Sequence, residues 1–316
     1  MNAPGPKLSR GSLLERAASV YDFDAAFRKG GRSNAPAVDT TAHLQEYREP
    51  AVQPPVAAPA VQASASTRGA APSRRVAIDR DRLSQQSLLV PGAPIGLLAE
   101  EFRLVKRHLL LTMQTMAGKQ GDHSRIILVS SAHPEEGKTF CAINLAISMA
   151  AEKDVDVLLV DADFAKADVM KRLGLGDSPG LLDALADPDG DAEQHVVATD
   201  IAQLSLLPTG GRTIQDTELL ASDRTPAVLG ALLAADPRRI IIMDSPPALA
   251  ASTSATLALH VGQIMMVVRA DRTSDGDLRE AIGLLDGCDQ IQLLLNGVSF
   301  TTGSRRFGNY YPQEGL

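Results

Sequence analysis

Cysteine is scarce: only Cys141 and Cys288 occur in 316 residues, and they share no C-x-x-C spacing. That excludes a disulfide framework and a cysteine-rich zinc centre, and it suits a reducing, cytoplasmic setting. Long apolar runs are missing as well. No stretch approaches the ~18 residues that a membrane-spanning helix needs, and no N-terminal segment resembles a signal peptide. Any recruitment to the inner face of the cell membrane is therefore expected to run through a partner. Clustered basic charge is absent from the body of the chain: the net charge of -7 divides into +4 for residues 1–78 and -11 for the remainder. Nucleic acid is accordingly not an expected ligand, because phosphate backbones reward clustered Lys and Arg. The glycine-rich dinucleotide fingerprint is lacking too, and nothing else supports redox chemistry.

What is present has a clear order. Residues 1–75 read as a flexible tail, with a short amphipathic helix possible at 11–29 and an Ala/Pro/Ser-rich linker at 51–73, where prolines break helices. Residues 76–300 read as the folded domain, and 301–316 as a mobile end. Within the domain, continuous apolar runs of strand length fall at 125–131, 156–161, 204–208, 239–244, 263–269 and 291–296. Helical stretches lie between them near 139–151, 226–235, 252–260 and 274–287. Strands apolar on both faces belong in a covered parallel sheet, so the expected class is α/β, with a mostly parallel β-sheet and helices on both faces. Ligands of such sheets sit at the C-terminal ends of the strands.

One of those ends carries Ala132, His133, Pro134, Glu135, Glu136, Gly137, Lys138 and Thr139. The phosphate-loop pattern G-x-x-x-x-G-K-[ST] is met at every fixed position but the first. Gly137 permits close backbone approach, the N–H groups that follow Pro134, through Phe140, and the following helix N-terminus attract negative charge, Lys138 reaches the β and γ oxygens, and Thr139 can ligand Mg²⁺. Glu135 and Glu136 are expected to point outward into solvent, since carboxylates facing phosphate would repel it. Two further strands end in carboxylates, Asp161 with Asp163, and Asp244. An aspartate after a strand often caps the next helix, but three beside a GKT loop point to Mg-ATP. Asp161 and Asp163 share a face if the strand continues and part if the chain turns.

In that order, "PEEGKT", "VLLVDAD" and "IIIMDSPP" resemble the Walker A, A′ and B motifs of the bacterial tyrosine kinases, which use a phosphate-loop NTPase-like fold. The likeness covers about residues 76–300 and is greatest to the branch associated with exosortase and exopolysaccharide loci. It implies an ATP-dependent tyrosine autokinase controlling exopolysaccharide synthesis or export, with ATP and Mg²⁺ as cofactors. Lys138 and Thr139 would hold phosphates and metal, Asp161 would be the catalytic base, and Asp163 and Asp244 would position Mg²⁺. Asn296 is a candidate adenine contact, or a plain turn residue. Tyr310 and Tyr311 resemble a short version of the family's C-terminal phosphorylation cluster, or are incidental to a tail. Glu100, Arg103 and Lys106, in the stretch 98–110, match the E-x-x-R-x-x-R helix that joins subunits into a ring, with lysine in place of the last arginine. The resemblance further implies a membrane-bound polysaccharide chain-length regulator as activator. Where the family often has arginine after Walker A′, this chain has Ala165 and Lys166.

Two other functions use the same fold. A partition-type switch ATPase would carry a signature lysine at position 133, where this chain has His133. An ATP-binding scaffold without kinase turnover would share every motif.

Overall fold

Runs of aliphatic residues form the strands, and the two-residue alternation of a strand decides which layer each side chain enters. The computed structural model describes residues 75–212 and 215–298; the expected helix at 11–29, the linker at 51–73 and the tyrosines at 310 and 311 lie outside them. Among the described residues the strands are β1 (Arg75–Val76), β2 (Ile126–Ser131), β3 (Asp156–Asp161), β4 (Val197–Thr199), β5 (Leu204–Leu207), β6 (Arg239–Asp244), β7 (Gln263–Arg269) and β8 (Ile291–Asn296). The α-helices are α1 (Arg80–Gln85), α2 (Leu97–Gln120), α3 (Lys138–Ala150), α4 (Val169–Arg172), α5 (Leu181–Ala186), α6 (Asp216–Leu220), α7 (Arg224–Ala235), α8 (Thr253–Ala258) and α9 (Asp275–Leu284).

The strands form one sheet in the order β1-β4-β5-β3-β6-β2-β7-β8. All neighbours pair in parallel except β4 with β5, so β1 and β4 run against the rest. Leu128, Val160, Met243 and Met266 enter the core shared with α5, α7, α8 and α9. Their neighbours Val129, Leu159, Ile242 and Met265 enter the opposite core, with α1, α2 and α3. Burial on both faces is why these strands read as unbroken apolar runs. The chain therefore has the phosphate-loop NTPase-like α/β architecture expected of it.

Two strands and four helices escape the sequence pattern. β1 and β4 are two and three residues long, and α1, α4, α5 and α6 span six residues or fewer, too short for either periodicity to register. The expected helix at 98–110 continues to Gln120.

Charged side chains gather at both ends of the central strands. At their starting end, the buried Arg239 donates to Asp156 at 3.2 Å, to Glu193 at 2.6 Å and to the Leu232 carbonyl at 3.1 Å. At their finishing end, the order β3-β6-β2 brings three strand termini side by side. Asp161 lies opposite Asp244 in register, and Asp244 opposite Val129.

Candidate functional site

The loop at 132–139 leaves β2 and enters α3 through Gly137, whose φ of 99° is left-handed. A Cβ at Gly137 would also collide with the Asn296 side-chain nitrogen, so glycine is required twice over. Ala132 is fully buried and is not among the residues with positive φ, which explains why the first glycine of the pattern is dispensable here. Glu135 takes φ of 66° without being glycine, an uncommon backbone state. α3 has thirteen residues, so its N-terminus offers the loop a full-length helix dipole.

The carboxylates divide into two kinds. Asp163 is satisfied: its Oδ2 lies 2.6 Å from Lys138 Nζ and its Oδ1 accepts the Lys166 N–H at 3.0 Å. Both members of this ion pair are buried. Asp161 and Asp244 are not. Asp161 Oδ2 accepts the Val169 N–H at 3.0 Å, whereas its Oδ1 is buried with no hydrogen-bond partner among the described residues. Both oxygens of Asp244 are buried in the same condition, although the Thr139 hydroxyl lies near them. Burial, with Asp244 as the neighbouring charge, pushes Asp161 up to about 7. Burial pushes Asp244 up to about 6, against the attraction of Lys138 and Thr139. β3 stops at Asp161, so the chain turns there: Asp161 meets the start of α4 and Asp163 turns to Lys138.

Glu136 overturns the expectation of a solvated loop carboxylate. It is 2% exposed, and its side chain accepts the His133 N–H at 2.9 Å and the Thr273 hydroxyl. Because its partners lie within the loop and beyond β7, the carboxylate is satisfied without reaching water. Glu135 is exposed as expected, 3.9 Å from Arg272. His133 is half exposed and 3.3 Å from Asp277.

Asn296 Nδ2 donates to the Glu136 carbonyl at 2.8 Å, so its amide braces the loop. No sequence motif announces Thr273; its partner lies 137 positions away. On α2, Glu100 and Arg103 pair at 2.6 Å. Lys106 is tied down by Glu152 at 2.6 Å and by the Ser148 carbonyl at 2.9 Å, while Lys166 is exposed. Recesses of about 300 and 390 Å³ lie elsewhere, beside α1 (Asp79, Arg82, Gln86) and α2 (Arg103, Lys106, Leu111); neither includes the loop or the three aspartates.

Among the described residues no group of three acidic, histidine or cysteine side chains forms a metal cage. Mg²⁺ does not need one, since it keeps several waters and uses one or two carboxylates with substrate phosphates. The orphaned oxygens of Asp161 and Asp244 fit that demand, as do the basic side chain and helix N-terminus beside them.

No protein-family model matches the chain. It is 30% identical over 231 residues to the tyrosine-protein kinase wzc of Salmonella typhimurium, covering 72% of this chain and 30% of that one. The chain thus spans less than a third of the length of the first curated relatives it matches. The tyrosine-protein kinase YwqD of Bacillus subtilis is 26% identical, with 75% of this chain and 96% of that one aligned. The succinoglycan biosynthesis transport protein ExoP of Rhizobium meliloti is 35% identical over 141 residues, 43% of this chain and 17% of its own. Among solved structures, the BceF tyrosine kinase domain superposes with a TM-score of 0.56 at 26% identity, covering 69% of this chain and 90% of that domain.

Proposed function

Since the chain belongs to the bacterial tyrosine kinase family, we propose that it is an ATP-dependent tyrosine autokinase. It transfers the γ-phosphoryl group to Tyr310 or Tyr311, between subunits of a homo-oligomer. The observation that carries this reading is the meeting of Lys138, at a helix N-terminus, with two buried strand-end aspartates, three of whose four carboxylate oxygens lack partners among the described residues. Phosphoryl transfer asks a protein mainly for positioning and charge neutralisation, and this arrangement provides both.

The N–H groups that follow Pro134, from Glu135 to Phe140, cradle the ATP phosphates, and Lys138 shares its charge between Asp163 and the β and γ oxygens. Thr139, Asp163 and Asp244 would hold Mg²⁺ and its waters, Asp244 directly through its unpartnered oxygens and Asp163 from its place on Lys138. When bound, Mg²⁺ supplies neutralisation of the charge on the bridging and terminal phosphate oxygens. Asp161 is the base: its free Oδ1 accepts the tyrosine hydroxyl proton while the Val169 amide holds its other oxygen. Asn296, whose amide braces the loop at the Glu136 carbonyl, is the proposed adenine contact.

Assembly runs through α2. Its inner face, Leu98, Phe102, Val105, Leu109 and Met113, packs on the core. Leu97, Leu104 and Leu111 recur every seven residues on the outside and are about half exposed. A heptad stripe flanked by Glu100 and Arg103 suits a helix of a second copy. Because Lys106 is held by Glu152, the leucines are expected to contribute more than the third charge. Leu104→Glu is expected to shift the protein to monomer in light scattering and to reduce phosphotransfer between subunits; an unchanged mass would refute this interface.

The setting is polysaccharide synthesis or export, which the name of ExoP supports. Among the described residues no helix is long and apolar enough to cross a membrane. A membrane-bound chain-length regulator is the proposed activator, recruiting the kinase to the inner face of the membrane. The deciding experiment is phosphotyrosine mapping by mass spectrometry after incubation with Mg-ATP, with and without the cytosolic segment of such a regulator. Phosphate at Tyr310 or Tyr311 that vanishes in Tyr→Phe variants is the expected result. ATP turnover without phosphotyrosine under either condition would transfer the assignment to a scaffold or switch ATPase.

A further inference from the structure

Glu136 is the side chain that least matches the chemistry around it: an acid, buried, one residue before the glycine of a loop that takes polyphosphate. Its acceptors serve an amide and a hydroxyl. Oε2 accepts the His133 N–H at 2.9 Å and Oε1 accepts the Thr273 hydroxyl. Thr273 is itself oriented, because its Oγ1 accepts the Arg269 N–H at 2.9 Å and its proton is left for Glu136. The Glu136 carbonyl takes the Asn296 amide at 2.8 Å. One residue thus ties the loop to its own beginning, to the segment between β7 and α9, and to the end of β8.

We propose that Glu136 is a positioning residue that pre-forms the phosphate loop by clamping it, through Thr273, to the segment after β7. The inference rests on the reading of residues 132–139 as an ATP cradle. A loop held in its binding geometry beforehand loses less conformational freedom when the nucleotide arrives, so affinity rises without a new contact to the ligand. A carboxylate suits the task because it accepts two hydrogen bonds at once, and bonds to a charged acceptor are stronger than neutral ones. Thr273 is the distal anchor, supplied by a part of the sheet that no phosphate-loop motif includes.

The test uses the full chain as wild type, Glu136→Ala, Glu136→Gln, Thr273→Val and the Glu136→Ala/Thr273→Val double variant. Mg-ATP affinity is measured by titration calorimetry, phosphotransfer kcat and KM for ATP by radiolabel transfer, and the Tm of the nucleotide-free protein by scanning calorimetry. Glu136→Ala is expected to weaken Mg-ATP binding about tenfold or more, the worth of a charge-assisted hydrogen bond. KM should carry the change while kcat at saturating ATP stays within about threefold, the signature of lost binding-state organisation. Thr273→Val should move affinity in the same direction, and the double variant should be no worse than Glu136→Ala, because both remove one clamp. Glu136→Gln should recover only part of the affinity: its amide oxygen still accepts from His133, but its NH₂ facing Thr273 leaves the hydroxyl proton without an acceptor. Unaltered affinity in Glu136→Ala, additive losses in the double variant, or losses that follow a fall in nucleotide-free Tm would overturn the clamp. Should Glu136→Ala fail to fold, Thr273→Val decides alone, and wild-type affinity in it overturns the proposal. A wild-type chain that binds no Mg-ATP refutes the ATP reading itself, a result separate from wild-type binding with unaffected variants.

Discussion

Asp244→Asn is expected to make the metal-free protein more stable while removing its phosphotransfer. Both Asp244 oxygens are buried without hydrogen-bond partners, and burial raises Asp244 to about 6 and Asp161 to about 7. An unfolded aspartate releases its proton near 3.9. Between those values the folded protein binds more protons than the unfolded chain, so stability falls as pH rises from about 4 to about 7. Most carboxylates with lowered values, such as Asp200 and Asp236, have finished titrating below this window. His260, held low by burial, acts in the opposite direction and Asp156, raised by burial, in the same one, so the change of slope between wild type and variant isolates the pair. The wild-type Tm without metal is expected to drop by roughly 5 °C or more between pH 5 and pH 8, at a few degrees per kcal/mol for a domain of this size. In Asp244→Asn the slope should flatten, since one charge is gone and its repulsion on Asp161 with it. Phosphotransfer should fall by about a hundredfold or more, as when a preorganised charge at a transferring group is deleted. Mg-ATP should restore wild-type stability at pH 8 and leave the variant nearly unchanged. A variant that kept the wild-type slope would refute the assignment of this pair as the source.

Lys138→Met is expected to do more than remove a phosphate contact. The lysine is the ion-pair partner of Asp163 at 2.6 Å, and their side chains are 10% and 3% exposed. Deleting one partner strands a buried carboxylate, at a cost of about 3–5 kcal/mol. The expected signature is therefore a Tm loss of roughly 10 °C together with loss of ATP binding and of phosphotyrosine. Adding Asp163→Asn should return most of the Tm, since no charge is then stranded, but none of the activity. This double variant separates a failed fold from a failed site, by thermal unfolding beside radiolabel transfer. Normal phosphotyrosine on Lys138→Met would refute the whole site assignment.

The sheet and the loop were legible because their signals are local. β2, β3, β6 and β7 are buried on both faces or nearly so, and a run such as "RIIIMD" has no competing reading at that length; β8, at the sheet edge, keeps the apolar run although Leu293 and Leu295 are exposed. Consecutive Gly137, Lys138 and Thr139 marked the loop, and strand-end aspartates marked its neighbours. What residue spacing cannot carry is the pairing of distant side chains. Glu136 was expected in solvent because a phosphate loop has no local use for an acid; its partner is Thr273, 137 positions on. The reversed strand β4 is held by its pairing with β1 and β5, and three residues hold too little pattern to declare it. On α2, the family resemblance marked Lys106 for a neighbouring subunit; its contacts to Glu152 and to the Ser148 carbonyl in α3, within its own chain, are not legible in spacing.

The two ends of the sheet differ in completeness. Where the strands begin, Asp156 and Glu193 find their counter-charge in Arg239, supplied by the chain itself. Where they finish, Lys138 is bound to Asp163, and three oxygens of Asp161 and Asp244 have no hydrogen-bond partner among the described residues. A ligand that meets those groups in the folded form alone shifts the folding equilibrium by its own mass action. On the proposed reading the nucleotide is as much a final piece of the architecture as a reactant, and the quantity of durable protein would track the supply of the compound it binds.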